Sequence, residues 1–394
     1  MKGEGDLETN NQQICSQSRD RTLSCRIELL NNNYNIVDYL EGETIDGNLV
    51  LTNDSGNNFS RLSGSLTLLL LKELSQDYFK LDLKHLVRVI MIITDNIKNI
   101  TAEYNLGITI LNSPQIVKGI DGNSKISINL NDLMSNYNGD FNGELDHTVT
   151  IKSSTDSSAN MSQTLQAIAL NSDLMGLSID KIKFESNTFE VPHDITCEAG
   201  NKITDLLKSL IELDMAYELF FDNEGILTYQ RIRNYNTDTP IQEFNNSPLI
   251  TNYDVKNNFT NVRNIVKVLG AIQESADSIS DPYQFSGIAR LDNPNHPLST
   301  VNIGEKKKVI VNDKGISDEV CQSQAEYNLD QFTNYAQVLE LAMLPDYRLL
   351  PNRVITVKYE DDDISIDGKY LINNVNFGFK VGDLTTVNCS KLYT

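Results

Sequence analysis

The sequence predicts a mostly β protein of the α+β class: two similar small β-barrels with an α/β unit between them along the chain. Three observations lead there. Both ends consist of short β-branched or leucine-rich runs bounded by Gly, Asn, Asp or Pro, the pattern of strands and turns. Over 160–232 the apolar spacing changes from period two to the period of a helix. The two β-rich ends also repeat one another's landmarks in order. At 394 residues the chain exceeds a single small core, so two or three domains are expected.

Residues 1–21 begin MKGEGDLETNNQQICSQSRD, which has no apolar core segment and so does not read as a secretory signal. A disordered N-terminal arm is expected there. The first barrel is placed at 22–152, with strands in TLSCRIELLNNNYNIVDYL and GETIDGNLVLTN, separated by an Asn-rich turn and an Asp-Gly turn, and in SGSLTLLLLKEL, HLVRVIMIITD, AEYNLGITILNSPQIV and SKISINLNDLM. The polar run KSSTDSSANMS marks its end.

The α/β middle domain is placed at 153–240. NKITDLLKSLIELDMAY carries Ile203, Leu206, Leu207, Leu210 and Leu213 on one stripe, so it reads as an amphipathic helix. YELFFDNEGILTYQRI then reads as two strands joined by a turn at Asp222–Gly225. The second barrel is placed at 241–394, with an inserted loop at about 273–305 and a helix at about 317–332. In that helix Cys321, Ala325, Leu329 and Phe332 share a face, and Asp318 and Glu319 suit its positive N-terminal end.

Composition removes several function classes. A net charge of −21, from 33 basic and 54 acidic residues, opposes a surface that grips nucleic acid through clustered Lys and Arg. No apolar run reaches membrane-spanning length; LTLLLL and VIMII are strand-sized. The five cysteines, Cys15, Cys25, Cys197, Cys321 and Cys389, are odd in number and scattered, which predicts free thiols in a reducing compartment.

No catalytic, cofactor-binding or metal-binding residue is expected, and the chain does not read as an enzyme. His85, His147, His193 and His296 stand apart from one another and from cysteine. The acidic run EDDD at 360–363 lacks EF-hand spacing and reads as a solvated loop. EKKK at 305–308 reads as the charged start of an edge strand. No P-loop, Gly-x-Ser-x-Gly, His-Glu-x-x-His or dinucleotide fingerprint is present.

The repeat is the strongest internal signal. Each end has a leucine-rich run, then Asp-Tyr at 77–78 or 346–347, then Arg-Val-Ile at 88–90 or 353–355. Each then has a glycine, Gly107 or Gly368, opening a hairpin whose last leucine lies at 130 or 392. Chance accounts for any one of these identities, but four in the same order with similar gaps point to duplication and pseudo-symmetry. A β-module of this length must close or cover its edges, which favours a barrel.

The segments YELFFDNEGILTYQRI, NHPLSTVNIGEKKKVIVND, SQAEYNL and YRLLPNRVITVKYEDDDISIDGKYLINNVNFGF resemble phage tail baseplate hub proteins. IELLNNNYNIVDYLEGETIDGNLVLT resembles their opening strands, so the resemblance covers about 22–392. One departure is PNR at 351–353, where the family has a Pro-Gly-Asp turn. The resemblance implies a homotrimer in which each chain supplies two barrels, so that three chains match a six-fold tail tube above and a three-fold spike, fibre or tail-lysin protein below. It implies a virion protein of the tail baseplate, assembled in the host cytoplasm, with DNA passing through without specific binding and no membrane insertion. The rival readings are an attachment module for a tail-associated cell-wall hydrolase and a host-surface carbohydrate-binding tail protein. The chain ends just after the second barrel, which opposes the first; no Trp and 7% aromatic residues oppose the second.

Overall fold

The computed structural model describes residues 4–53, 59–70, 86–118, 124–233, 235–257, 259–273, 283–312, 317–334, 337–362, 364–380 and 382–393. The chain opens with helix α1 (Glu4–Gln17), followed by six strands: β1 (Arg21–Leu30), β2 (Ile36–Thr52), β3 (Leu62–Leu70), β4 (Leu86–Asp95), β5 (Ile100–Lys118) and β6 (Ser124–Asp132). Alternation decides which face each strand buries: in β6, Ile126, Ile128 and Leu130 point into the core. All pairings among the six are antiparallel. They run β1-β4-β5-β6-β3-β2, and β2 pairs with β1 again, so the pairing returns to its start.

The middle of the chain holds β7 (Val149–Ile151), α2 (Ser154–Ser157), α3 (Met161–Leu170), β8 (Ile182–Phe184), β9 (Ile195–Cys197), α4 (Ile203–Ile211), β10 (Tyr217–Phe221) and β11 (Leu227–Arg231). Helix α3 starts at a reciprocal cap: Asn160 accepts from the Gln163 N–H, and the Gln163 side chain accepts from the Asn160 N–H. In α4 the stripe of Ile203, Leu206, Leu207 and Leu210 is buried. At about 1.5–3 kcal/mol for each fully buried side chain, that face outweighs any helix propensity. It helps cover the sheet β10-β11-β8, whose hairpin turns at Asp222–Gly225 as expected, with the Gly225 N–H donating to the Asp222 carbonyl at 2.9 Å.

The second β-rich part contains β12 (Gln242–Asn245), β13 (Ile250–Asn257), β14 (Ile265–Gln273), β15 (Tyr283–Arg290), α5 (Thr300–Ile303), β16 (Lys307–Val311), α6 (Asp318–Asn334), β17 (Gln337–Met343), β18 (Val354–Glu360), β19 (Ser365–Gly378) and β20 (Thr385–Leu392). Its main sheet runs β18-β19-β20-β17-β13, all antiparallel, the same order as β4-β5-β6-β3-β2. β12 adds to β18 in parallel. β2 also pairs with β19, from Asn48 opposite Gly378 to Thr52 opposite Asn374. Both ends of the chain therefore share one twelve-stranded sheet and one hydrophobic core, from Ile27 and Leu66 to Tyr347 and Phe377.

Several expectations need correction. Residues 4–17 form a helix rather than a disordered arm. Their sequence has no apolar stripe, and α1 is instead fixed to β5 by hydrogen bonds: Tyr104 donates to the Gln12 carbonyl (2.7 Å), and Gln12 Nε2 to the Glu103 carbonyl (2.7 Å). Cys15 and Ser16, in its last turn, are buried. The boundary near 152 also moves, because Leu133, Met134 and Leu145 pack in the middle core and β7 pairs with β9. The expected inserted loop at 273–305 contains β15, which joins β14 and β16 in a separate three-stranded sheet under α6. Gly287 permits this packing: a Cβ there would lie 2.3 Å from the backbone of Cys321 and Gln322.

The repeat is corrected in detail as well. Gly107 faces Val89, whereas Gly368 faces Val357 and not Val354. The two Arg-Val-Ile triplets are thus three residues out of register, because the β4–β5 hairpin is longer than β18–β19. The Asp-Tyr at 77–78 and His85 lie outside the described residues.

Candidate assembly surfaces

The structure brings none of the histidines into a reactive group. His147 is exposed. His193 is half-buried, with Nδ1 unpaired. His296 is held in a turn, where Nδ1 accepts from the Leu298 N–H (3.1 Å) and the ring stacks edge-on against Tyr393. Burial lowers the His296 pKa, as expected for a cation losing water. Asp361 of the acidic loop accepts from Tyr359 Oη (2.7 Å) and from the Ile364 N–H (2.7 Å), which ties the β18–β19 turn together. Among the described residues no group of three His, Cys, Asp or Glu is placed to hold a metal ion, and no helix is long and apolar enough to cross a membrane. All five cysteines are buried thiols outside any disulfide. Burial raises the pKa of Cys25 and Cys389, which disfavours the reactive thiolate.

A cleft of about 720 Å³ opens where β2 and β3, the α4–β10 region and the β19–β20 hairpin meet. On its wall Arg61 Nη2 donates to Glu218 Oε2 (2.7 Å), both side chains nearly buried, and the guanidinium lies 3.8 Å from the centre of the Phe220 ring. Gln230 Nε2 holds the other Glu218 oxygen at 2.8 Å. Further along the wall Arg233 pairs with Asp238 and Lys208 with Glu212. These pairs link residues of the first sheet and the middle unit along the cleft wall. Sequence reasoning missed Arg61 and Glu218, which lie 157 residues apart. No local pattern couples them.

Beside Arg61, Asp132 ends β6. Its Oδ2 accepts from the N–H groups of Arg61 (2.9 Å) and Leu62 (3.1 Å), and Oδ1 accepts from Met134 N–H (2.8 Å). Burial still dominates those three bonds and raises its pKa to about 6.

The remaining candidates are surfaces. α6 covers one face of the β15-β14-β16 sheet through Val266, Val268 and Ala289. The opposite face exposes Ile288, Val309 and Val311. The lysine run places Lys307 and Lys308 at the start of β16, on the edge of this small sheet. In the large sheet, β13 pairs on one side with β17 and has no described strand on the other. β5 pairs with β4 only as far as Ile110, so among the described residues Pro114–Lys118 have β6 alone. Val117 there is 49% exposed.

No protein-family model matches the chain, and no curated protein matches it. Solved structures do share its fold. The tail protein from Neisseria meningitidis MC58 is similar over 93% of this chain and 96% of that one, with 13% identity and a TM-score of 0.59. The 43 kDa tail protein of prophage MuSo2 from Shewanella oneidensis is similar over 93% and 98%, with 11% identity and a TM-score of 0.59. The Escherichia coli c3393 protein, a type VI secretion component described as similar to T4 tail proteins gp27 and gp5, is similar over 90% and 74%, with 6% identity and a TM-score of 0.50. The fold is one shared with phage tail proteins, in agreement with the tail-protein resemblance read in the sequence.

Proposed function

We propose that the chain is a structural, non-enzymatic tail hub: a homotrimer that joins a six-fold tail tube to a three-fold spike or fibre and lines the channel for DNA. The observation that carries this reading is the shared strand order, β4-β5-β6-β3-β2 in one half and β18-β19-β20-β17-β13 in the other. A chain with two like modules lets three copies present six, the simplest way for a trimer to meet a hexamer. The modules are two small barrels, at about 21–132 and about 242–393, with the α/β unit of 133–240 between them in sequence. The returning pairing of β1 with β2 supports the first barrel, and the pairing of β12 with β18 supports the second.

The net charge of −21 fits a channel wall that phosphate does not grip. Purified protein is therefore expected not to shift duplex DNA at physiological salt; a shift would mean a basic lumen. The decisive experiment is mass measurement with low-resolution imaging of the protein joined to its tube or spike. A three-fold ring with six similar lobes is expected. Obligate dimers or hexamers in the native particle would overturn the reading.

A further inference from the structure

The small sheet β15-β14-β16 has α6 on the face formed by Val266, Val268 and Ala289. Alternation turns the intervening residues of each strand to the other face. Register sets those residues in rows. Ile288, Lys267 and Val309 stand side by side, and Ser286, Leu269 and Val311 form the next row. Arg290 and Lys307 flank Ile265 in a third. Ile288, Val309 and Val311 are 45%, 46% and 66% exposed, so three aliphatic side chains share one wet face.

Two features say what fits over them. The first is strand sense. β14 and β16 are parallel neighbours, and parallel strands occur mostly in sheets covered by helices on both faces. Three strands about 4.8 Å apart present a strip about 10 Å across, the width of one helix. α6 fills that strip on one side, and the other side has the same footprint.

The second feature is charge. The chain carries −21, yet this face holds Lys267 and Lys307, and among the described residues neither has a carboxylate partner. The carboxylates at that end of the sheet, Asp292 and Glu305, are taken by Arg290 at 3.2 and 2.8 Å. Lys267 stands between Ile288 and Val309, so whatever covers those side chains also takes its ammonium out of water. That is costly unless the cover brings a carboxylate.

We infer that this face is the seat for an acidic amphipathic helix of a partner protein. Its aliphatic stripe rests on Ile288, Val309 and Val311, and its carboxylates reach Lys267 and Lys307. The product is a helix–sheet–helix sandwich with α6 as the resident layer. Nucleic acid fits the seat less well, because phosphates would meet the lysines and leave the aliphatic side chains wet. The inference goes beyond the hub reading and does not depend on how many copies assemble.

The probe is a labelled helical peptide of about 18 residues, with Leu at i, i+3, i+4 and i+7 and Glu on the flanks of that stripe. Titrated with full-length protein and followed by fluorescence anisotropy, it should bind saturably. Lys267→Glu and Val309→Glu should each weaken binding at least about tenfold, since both set a carboxylate against the acidic helix. Neither side chain faces α6, so thermal unfolding of both variants should match the parent. A scrambled peptide of the same composition should also bind about tenfold more weakly, because it lacks the stripe. Absence of binding, or binding that neither substitution weakens, would overturn the seat. Equal binding of the scrambled peptide or of duplex DNA would reduce it to a plain cationic patch and defeat the inference. Self-association abolished by Val309→Glu would make the occupant a second copy and defeat it too. The peptide results are silent on copy number, so the seat and the hub reading fail separately.

Discussion

In the first half β1 stands between β2 and β4, paired antiparallel to each over much of its length. In the second half no described strand takes that place, and β12 lies directly against β18, in parallel. The two facts are one. Two antiparallel steps through β1 leave β2 parallel to β4, so omitting the intermediate strand brings β12 against β18 in the same sense. The parallel pair thus stands where an otherwise antiparallel repeat has, among the described residues, one strand fewer. What the second half lacks there it gains elsewhere: between β13 and β17 it carries β14–β16 and α6, while only residues 53–61 separate β2 from β3. The shared core thus preserves strand order, whereas strand number and connections vary around it.

With Gly107 laid on Gly368, Ile116 falls on Phe377, and the largest expected difference between equivalent positions is there. Phe377→Ala should cost about 3–5 kcal/mol, since the ring is fully buried and packs on Tyr347 at 5.0 Å. Ile116→Ala should cost less than about 1 kcal/mol in the isolated chain, because its side chain is only half-covered. Chemical denaturation of both variants checks this, and equal losses would break the equivalence.

Arg61→Ala should cost about 3 kcal/mol by stranding Glu218 in the cleft wall, an effect with no counterpart in the second half. Thermal unfolding should show it, and restoring balance with Glu218→Gln in the same chain should recover part of the loss.

With Gly107 laid on Gly368, Asp132 opposite Thr109 falls on Lys391 opposite Tyr370, so only the first half should show its titration. Its folded pKa of about 6 lies above the unfolded value. Its protonation thus adds stability that is complete below about pH 4 and disappears as pH rises through about 6, worth about 2–3 kcal/mol at most. Asp132→Asn should flatten that part of the stability–pH curve, and carboxyl NMR should find Asp132 titrating near 6. A midpoint near 4 would contradict it.

The smallest contrast is between Gly107→Ala, at φ +135° with Leu62 Cδ1 2.7 Å from the new Cβ, and Gly368→Ala, which meets the flexible end of Lys391 at 3.0 Å and the Tyr370 ring at an ordinary 3.6 Å. The first should cost about 1–3 kcal/mol and the second under about 1, as thermal unfolding of both variants would show.

What was legible in the sequence was local. SKISINL was legible as a strand, and the α4 stripe named its buried residues, because period and face are set within a few residues. Helix α6 and the Asp222–Gly225 turn were found for the same reason. α1 was missed because its helix depends on hydrogen bonds to β5 and not on an apolar stripe. KKKVIV was visible as a strand, but nothing in it says that it belongs to a separate three-stranded sheet. The duplication was legible through Gly107 and Gly368, while the Arg-Val-Ile match was a coincidence of common strand residues. Arg61–Glu218 and β2–β19 are matters of tertiary register, which sequence spacing does not encode.

The β2–β19 joint also has a consequence in time. Asn48 and Asn376, hydrogen-bonded across it at 3.1 Å, are 328 residues apart. At roughly 5–20 residues per second of synthesis, the β2 edge waits about 15–65 s for its partner strand to leave the ribosome. Such long-range pairing folds slowly. During that wait the same edge is open to β19 of a completed neighbour on a polysome, and pairing there would exchange strands between chains. Slower elongation should lengthen this window, so yields of correctly paired chain should fall as translation is slowed and recover when the C-terminal half is supplied early in trans.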